Sequence, residues 1–327
     1  THLFLKELKE KKLYSFFMKI EIPLLPVLIE MEYNGVFIDA KMLDNMSIEL
    51  GKKVDELKEN IEEEAGVEFN VNSTQQLAKI LFDVIGLREI KKRSTAEDVL
   101  EQLKNDHQIP DLVLQYRKLN KLKNTYIDAL PELIHNETKR IHSTFNQTVA
   151  STGRLSSSNP NFQNIPIRRE EGRKIRKAFI SDDPKKIIFS ADYSQIELRI
   201  MAHLSKDKAL VDAFTKGEDV HSRTASLVFN ISINDISPDM RRTAKIVNFG
   251  LLYGAGPFRM SQELGISLKE AKLIIETYFE RYSGIKNYID KIIIQAKKHQ
   301  FVETMLGRRR PVWDIDSKNH LHREAAK

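Results

Sequence analysis

Cysteine is absent from the 327 residues, so neither a disulfide framework nor a thiolate-bound metal is open to this chain. That absence fits a reducing compartment, and a cytoplasmic protein is expected. Long hydrophobic runs are also missing, since no apolar stretch approaches the roughly 20 residues that a membrane-spanning helix needs. The opening THLFLKELKEKKL alternates charge with leucine where an export signal carries an apolar centre. Export and membrane attachment are therefore not expected. No internal repeat or low-complexity tract is visible. What is there is a chain with 41% hydrophobic residues, long enough to bury a core and to form two or three domains. The net charge of +6 permits a polyanionic partner, yet a solvated charged surface would give the same total. Both ends, Thr1 and the helix-like HLHREAAK, read as cut from a longer chain.

Three textures follow one another. Up to about Arg140 the pattern is helical. KMLDNMSIELGKKVDELKENIEEEAG is a long amphipathic stretch, NSTQQLAKILFDVIG starts on capping residues, and Ser94 and Glu97 have capping-box spacing. DLVLQYRKLNKLKNTYIDAL then places Arg117, Lys118, Lys121 and Lys123 within two turns, a run that a solvated face would also produce. From Ile141 to Ser205 short strand-like runs and polar loops take over. IIFSA reads as an apolar strand ending at Asp192, and Ser194 and Glu197 again have capping-box spacing before a helix. Residues 206–299 return to helical periodicity, and FVETMLGRRRPVWDI reads as a hairpin turning at Gly307.

The stretch RRTAKIVNFGLLYG carries chemistry. On a helix, Arg241, Lys245 and Phe249 stand four apart, with Tyr253 one step further, so two cations and two rings line one slowly turning face. A nucleoside triphosphate offers the matching order, several negative charges and then a flat base. An ordinary amphipathic helix with its rings in a core fits the same residues. TGRLSSSNPNFQNIPIR, residues 152–168, holds Ser, Asn, Gln and Arg with no acid, so it can donate hydrogen bonds to phosphates and groove acceptors without repelling them. A polar surface turn has that composition too.

These segments in this order, TGRLSSSNPNFQNIPIR, SADYSQIELRIMAHLS and RRTAKIVNFGLLYG, closely resemble the bacterial DNA polymerase I family, the family A DNA polymerases. YRKLNKLKNTYIDALPELI and VETMLGRRR look like that family as well, so the likeness runs from about Ile22 to the C-terminus. The resemblance implies an α+β right-hand polymerase fold, with helical thumb and fingers and an antiparallel palm sheet that is incomplete here. Residues 1–22 would be the tail of an upstream exonuclease-like domain, 23–140 the thumb, 141–205 the first part of the palm, 206–299 the fingers and 300–327 a second, truncated part of the palm.

It also implies roles. Asp192 would ligate two Mg2+ ions through its side chain and Tyr193 would help through its backbone carbonyl. Arg241 and Lys245 would join Asp192 in catalysis. Gln195, Glu197, His221, Arg241, Lys245, Phe249 and Tyr253 would line the site for a deoxynucleoside triphosphate, with Glu197 filling the space of a ribose 2′-hydroxyl. Arg154, Gln163, Asn164 and Arg308 would meet primer-template DNA, and the basic helix bearing Arg117, Lys118, Lys121 and Lys123 would grip its backbone. The implied enzyme is a monomer that adds deoxynucleotides to a primer 3′-hydroxyl. One departure stands out: the family's second catalytic aspartate lies in a His-Asp-Glu hairpin, and no such tripeptide occurs in this sequence. The fragment is therefore expected to be weak or inactive alone. Two alternatives stay open, a non-catalytic duplex-binding module and a single-subunit RNA polymerase; a carboxylate at Glu197 argues against the second.

Overall fold

The computed structural model describes residues 2–167 and 170–326, so Arg168, the last residue of the acid-free loop, lies outside the described residues. The chain divides into two compact units, Phe17–Phe189 and a second comprising Thr1–Phe16 with Ser190–Lys327.

The first unit is built on helices α1 (Ile22–Asn34) and α2 (Ala40–Ala65). Asp39 starts α2 by accepting a hydrogen bond from the Met42 N–H at 2.9 Å. Gly66 ends it in the left-handed region at φ 67°, returning its N–H to the Glu62 and Glu63 carbonyls. Between these caps Leu43, Met46, Leu50, Val54 and Ile61 are buried, a spacing of three, four and seven that confines them to one face. Each contributes roughly 1.5–3 kcal/mol of burial. That single face serves two cores. Leu43, Met46 and Leu50 pack with Leu122, Ile141, Ile165 and Ile175, whereas Val54 and Ile61 pack with Leu81, Leu100, Ile109 and Val113.

Shorter elements complete this unit: α3 (Thr74–Ala78), α4 (Glu97–Leu103), α5 (Gln108–Leu122), and a hairpin of β1 (Thr144–Asn146) with β2 (Ser156–Ser158). Ser73 caps α3 as its sequence indicates, accepting from Gln76 N–H. The capping box expected at Ser94 and Glu97 does not form. Helix α4 starts from Ala96 without a side-chain cap, and the Ser94 hydroxyl instead accepts from Ala96 N–H at 3.2 Å, the local turn that competes with a cap for the same oxygen.

The second unit is helical around a core of Leu198, Val247, Leu251, Met260, Tyr278 and Tyr282. Its principal elements are α6 (Ile196–Ser205), α7 (Val220–Phe229), α8 (Pro238–Leu252), α9 (Pro257–Leu264), α10 (Leu268–Arg281) and α11 (Ser283–His299), followed by β3 (Phe301–Glu303) and β4 (Arg309–Pro311). Gly250 lets α8 approach α9: a Cβ there would lie 2.9 Å from the Met260 Cε. The hairpin expected after Gln300 is present, with Gly307 at φ +89° donating its N–H to the Thr304 carbonyl at 3.0 Å.

The expected strand IIFSA is not a strand. Residues 187–191 belong to no sheet, and Ile187 and Phe189 are 87% and 83% exposed. Apolar sequence favours extended backbone, but a strand exists only when a neighbour takes its hydrogen bonds, and none of the described residues does. With its two antiparallel two-stranded sheets among many helices, the fold is α+β.

Candidate functional site

Helix α8 positions the cations as its periodicity implies. Pro238 sits in its first turn, and Ser237 caps it by accepting from Met240 N–H at 3.2 Å. Ala244, Val247, Asn248 and Leu251 are buried, which leaves Arg241 and Lys245 exposed and Phe249 half-buried along the other side.

Arg241 is already engaged. Its guanidinium donates to both oxygens of Asp219, Nε to Oδ1 at 3.0 Å and Nη2 to Oδ2 at 2.8 Å, the forked geometry in which Arg binds carboxylate or phosphate alike. Asp219 also caps α7, accepting from Ser222 N–H at 2.7 Å. Burial raises its carboxyl, but the hydrogen bonds from Arg241 and Ser222 outweigh burial and hold its pKa at about 2. Lys245 makes no ion pair among the described residues.

His221 lies in the first turn of α7 and is 3% exposed, with its ring centroid 5.7 Å from that of Phe249 and its Nδ1 3.1 Å from the Asn248 amide nitrogen. Burial holds the imidazole below its usual range; Asp219 opposes that shift, and Arg241 and Lys245 add to it. Tyr253, at the end of α8, donates its hydroxyl to Glu197 Oε1 at 2.8 Å. The capping box expected for Glu197 is therefore absent: Gln195 at φ 52° occupies the N-cap with no side-chain bond, and the Ser194 carbonyl accepts from Arg199 Nε. The left-handed turn at Gln195 changes the approach to α6 that a capping box requires, and Gln195 lines a hollow of about 270 Å³ with Asp219 and Arg199.

Asp192 and Tyr193 are exposed in the irregular segment before α6. Among the described residues no three His, Asp or Glu side chains are grouped to hold a metal. Two divalent ions 3.5–4 Å apart need more than one carboxylate, so the described donors fit only part of such a site.

A second constellation lies within the first unit. A cleft of about 590 Å³ is lined by Lys118, Lys121, Arg117, Asn164 and Tyr126, together with Glu97, Glu101 and Asp111. The Tyr126 hydroxyl donates to the Asn164 carbonyl at 2.6 Å. Asn161 caps the turn Phe162–Asn164, and Gln163 Nε2 donates to the Leu155 carbonyl at 3.0 Å, so the acid-free loop is folded on itself and contributes β2. Arg154 is exposed on it.

The four cations of the basic helix separate. Arg117 turns inward to the Thr95 carbonyl and, at 3.3 Å, its hydroxyl. Lys123 donates to Ser47 Oγ at 2.9 Å and Asp128 Oδ2 at 2.7 Å. Lys118 and Lys121 are the ones left to face a ligand. In the other unit, the Arg308 guanidinium lies over the Phe16 ring, 4.7 Å from its centroid. Sequence reasoning passed over Asp219, Asn248 and Tyr126. Asp219 carried a signal, the cap pattern Asp-x-x-Ser that spans His221; the other two carried none.

The family model described as DNA polymerase family A matches residues 40–327. DNA polymerase I of Pseudomonas aeruginosa is 49% identical over 313 residues, 94% of this chain and 34% of that protein. DNA polymerase I of Geobacillus stearothermophilus is 46% identical over 317 residues, 96% of this chain and 36% of that protein. The POL domain of Pol1 from M. smegmatis, in complex with DNA primer-template and dNTP, superposes with a TM-score of 0.90 at 39% identity, over 98% of this chain and 57% of that one. The chain thus spans about a third of the length of these curated relatives.

Proposed function

This chain belongs to DNA polymerase family A, and on that premise we propose that it supplies the nucleotide-recognising and duplex-gripping parts of a template-directed DNA polymerase. The observation that carries the proposal is the α8 face. Arg241 in forked contact with a carboxylate, Lys245 with no ion pair among the described residues, and Phe249 beside a buried histidine present donors for a triphosphate and a ring for its base or sugar. Asp219 marks where an anionic oxygen pair sits against Arg241, and a phosphate would compete for that fork. Glu197, held by Tyr253, would crowd a ribose 2′-hydroxyl and so select deoxynucleotides. Lys118, Lys121, Asn164 and Arg154 would meet the primer-template, with Lys118 and Lys121 on phosphates and the polar loop on groove acceptors.

Asp192 is the side chain that would hold divalent cations, Mg2+ in this proposal, with the Tyr193 carbonyl beside it. The chemistry such ions supply when bound is activation of the primer 3′-hydroxyl and charge neutralisation on the departing pyrophosphate. The remaining tasks belong to the side chains: Arg241, Lys245 and His221 hold the triphosphate, and Phe249 aligns its nucleoside.

Binding of primer-template and of a matched deoxynucleotide, each measured by titration, tests the reading. Added affinity for the matched nucleotide over a mismatched one supports it; equal affinity for all four would leave duplex binding alone. Primer extension by these residues is expected to stay far below that of a complete relative. In a protein that does extend primers, Glu197→Ala should raise ribonucleotide use, and unchanged sugar selection would remove the assigned role.

A further inference from the structure

Behind the α8 face a buried polar chain runs from His221 through three side chains that the proposed function does not use. His221, Thr224, Asn248 and Tyr282 are 3%, 0%, 1% and 1% exposed. Tyr282 OH lies 2.9 Å from Thr224 Oγ1, Thr224 Oγ1 lies 3.1 Å from Asn248 Oδ1, and Asn248 Nδ2 lies 3.1 Å from His221 Nδ1. The second amide N–H of Asn248 reaches the same threonine hydroxyl at 3.0 Å.

The direction of donation follows from what each group can give. Burial pushes the Tyr282 phenol up to about 12, so it stays protonated, and because the single Thr224 hydroxyl proton goes to Asn248 the phenol is the donor in their bond. The threonine hydroxyl then donates to the only acceptor of the Asn248 amide, its carbonyl oxygen. The amide N–H that remains points at His221 Nδ1, and a donor can be met there only by a lone pair. The ring's single proton therefore sits on Nε2.

We propose that Asn248 is a positioning residue for His221: its amide fixes the buried imidazole as the tautomer protonated at Nε2, so that the ring meets a phosphate oxygen as a neutral hydrogen-bond donor. This rests on the reading that His221 touches the triphosphate. The charges facing the ring are Asp219 at the start of its own helix and Arg241 and Lys245 on α8; the neutral Tyr282, at the junction of α10 and α11, reaches it through the hydrogen-bonded chain. With two cations already at hand, a third would add repulsion in the empty site. The opposite tautomer would turn a lone pair toward the phosphate. A neutral, fixed N–H avoids both.

The test is nitrogen NMR of the protein labelled with 15N-histidine, in which the His221 signals among nine histidines are identified by their loss in His221→Gln. The expected spectrum at neutral pH shows an unprotonated Nδ1 and a protonated Nε2. A ring protonated at Nδ1 overturns the proposal, and this measurement needs no variant at position 248. Asn248→Asp replaces the donor by an acceptor of nearly equal volume and should draw a proton to Nδ1. Affinity for dATP should then become pH-dependent, falling about tenfold once the imidazole is neutral, the equivalent of one hydrogen bond to a charged group. A proton drawn to Nδ1 with unchanged affinity overturns the positioning role. If the wild-type tautomer is as stated but its Nε2 signal ignores added dATP, the phosphate contact itself fails, and the two failures are told apart.

Discussion

Cations serve different ends in the two units. In Phe17–Phe189 the run Arg117, Lys118, Lys121 and Lys123 looks uniform in sequence, yet half of it is structural: Arg117 ties α5 to Thr95, and Lys123 closes on Ser47 and Asp128. In the other unit, Arg241 and Lys245 keep to the exposed side of α8, and among the described residues only Arg241 meets a carboxylate, that of Asp219. A basic run is therefore not a basic surface. Helix phase and the nearest acceptor decide which charges remain for a ligand.

Lys245→Ala should sharpen the contrast most. Nucleotide affinity should fall roughly 10–100-fold, the loss of a charge-assisted hydrogen bond, with primer-template affinity unchanged. Equal losses in both titrations would merge the two surfaces into one. Arg117→Met should act the other way, lowering stability by about 2 kcal/mol in urea through the unmet Thr95 carbonyl, with little effect on nucleotide. The double change Lys118→Ala with Lys121→Ala should leave stability alone and flatten the plot of log affinity against log salt by about two units; a slope that also flattens in Lys123→Ala would return that lysine to the duplex surface.

The smallest effect belongs to the Asp219–Arg241 pair. Its carboxyl is held at about 2 against an ordinary 3.8, so the pair stabilises the fold above about pH 4 and ceases to do so as pH falls through 2. The partners' side chains are 36% and 45% exposed, and screening reduces the contribution to about 1 kcal/mol. Asp219→Asn retains the α7 cap, so its deficit in denaturant melts should be present at pH 7, shrink below about pH 4 and vanish only below pH 2. A deficit that persists in acid would point to the cap instead.

Local signals were legible. Gly66, Ser73 and Gly307 end or begin elements where their chemistry requires. What failed depended on partners distant in sequence. IIFSA has strand composition but no described neighbour to pair with, and Glu197 left its expected cap for Tyr253, 56 residues away. The two capping-box spacings had the right residues with the wrong backbone entry, at Ala96 and at Gln195. The His221–Asn248–Thr224–Tyr282 chain was invisible for the same reason: its links cross 27, 24 and 58 residues, and neither periodicity nor composition encodes such distances.

Helix α2 has a consequence for how its unit comes apart. One continuous rod of 26 residues runs through both apolar clusters, so neither can melt without snapping the helix between Leu50 and Val54 and exposing fresh ends to solvent. Amide exchange along the rod should accordingly proceed by a single opening event, two reservoirs of buried surface sharing one cooperative lifetime.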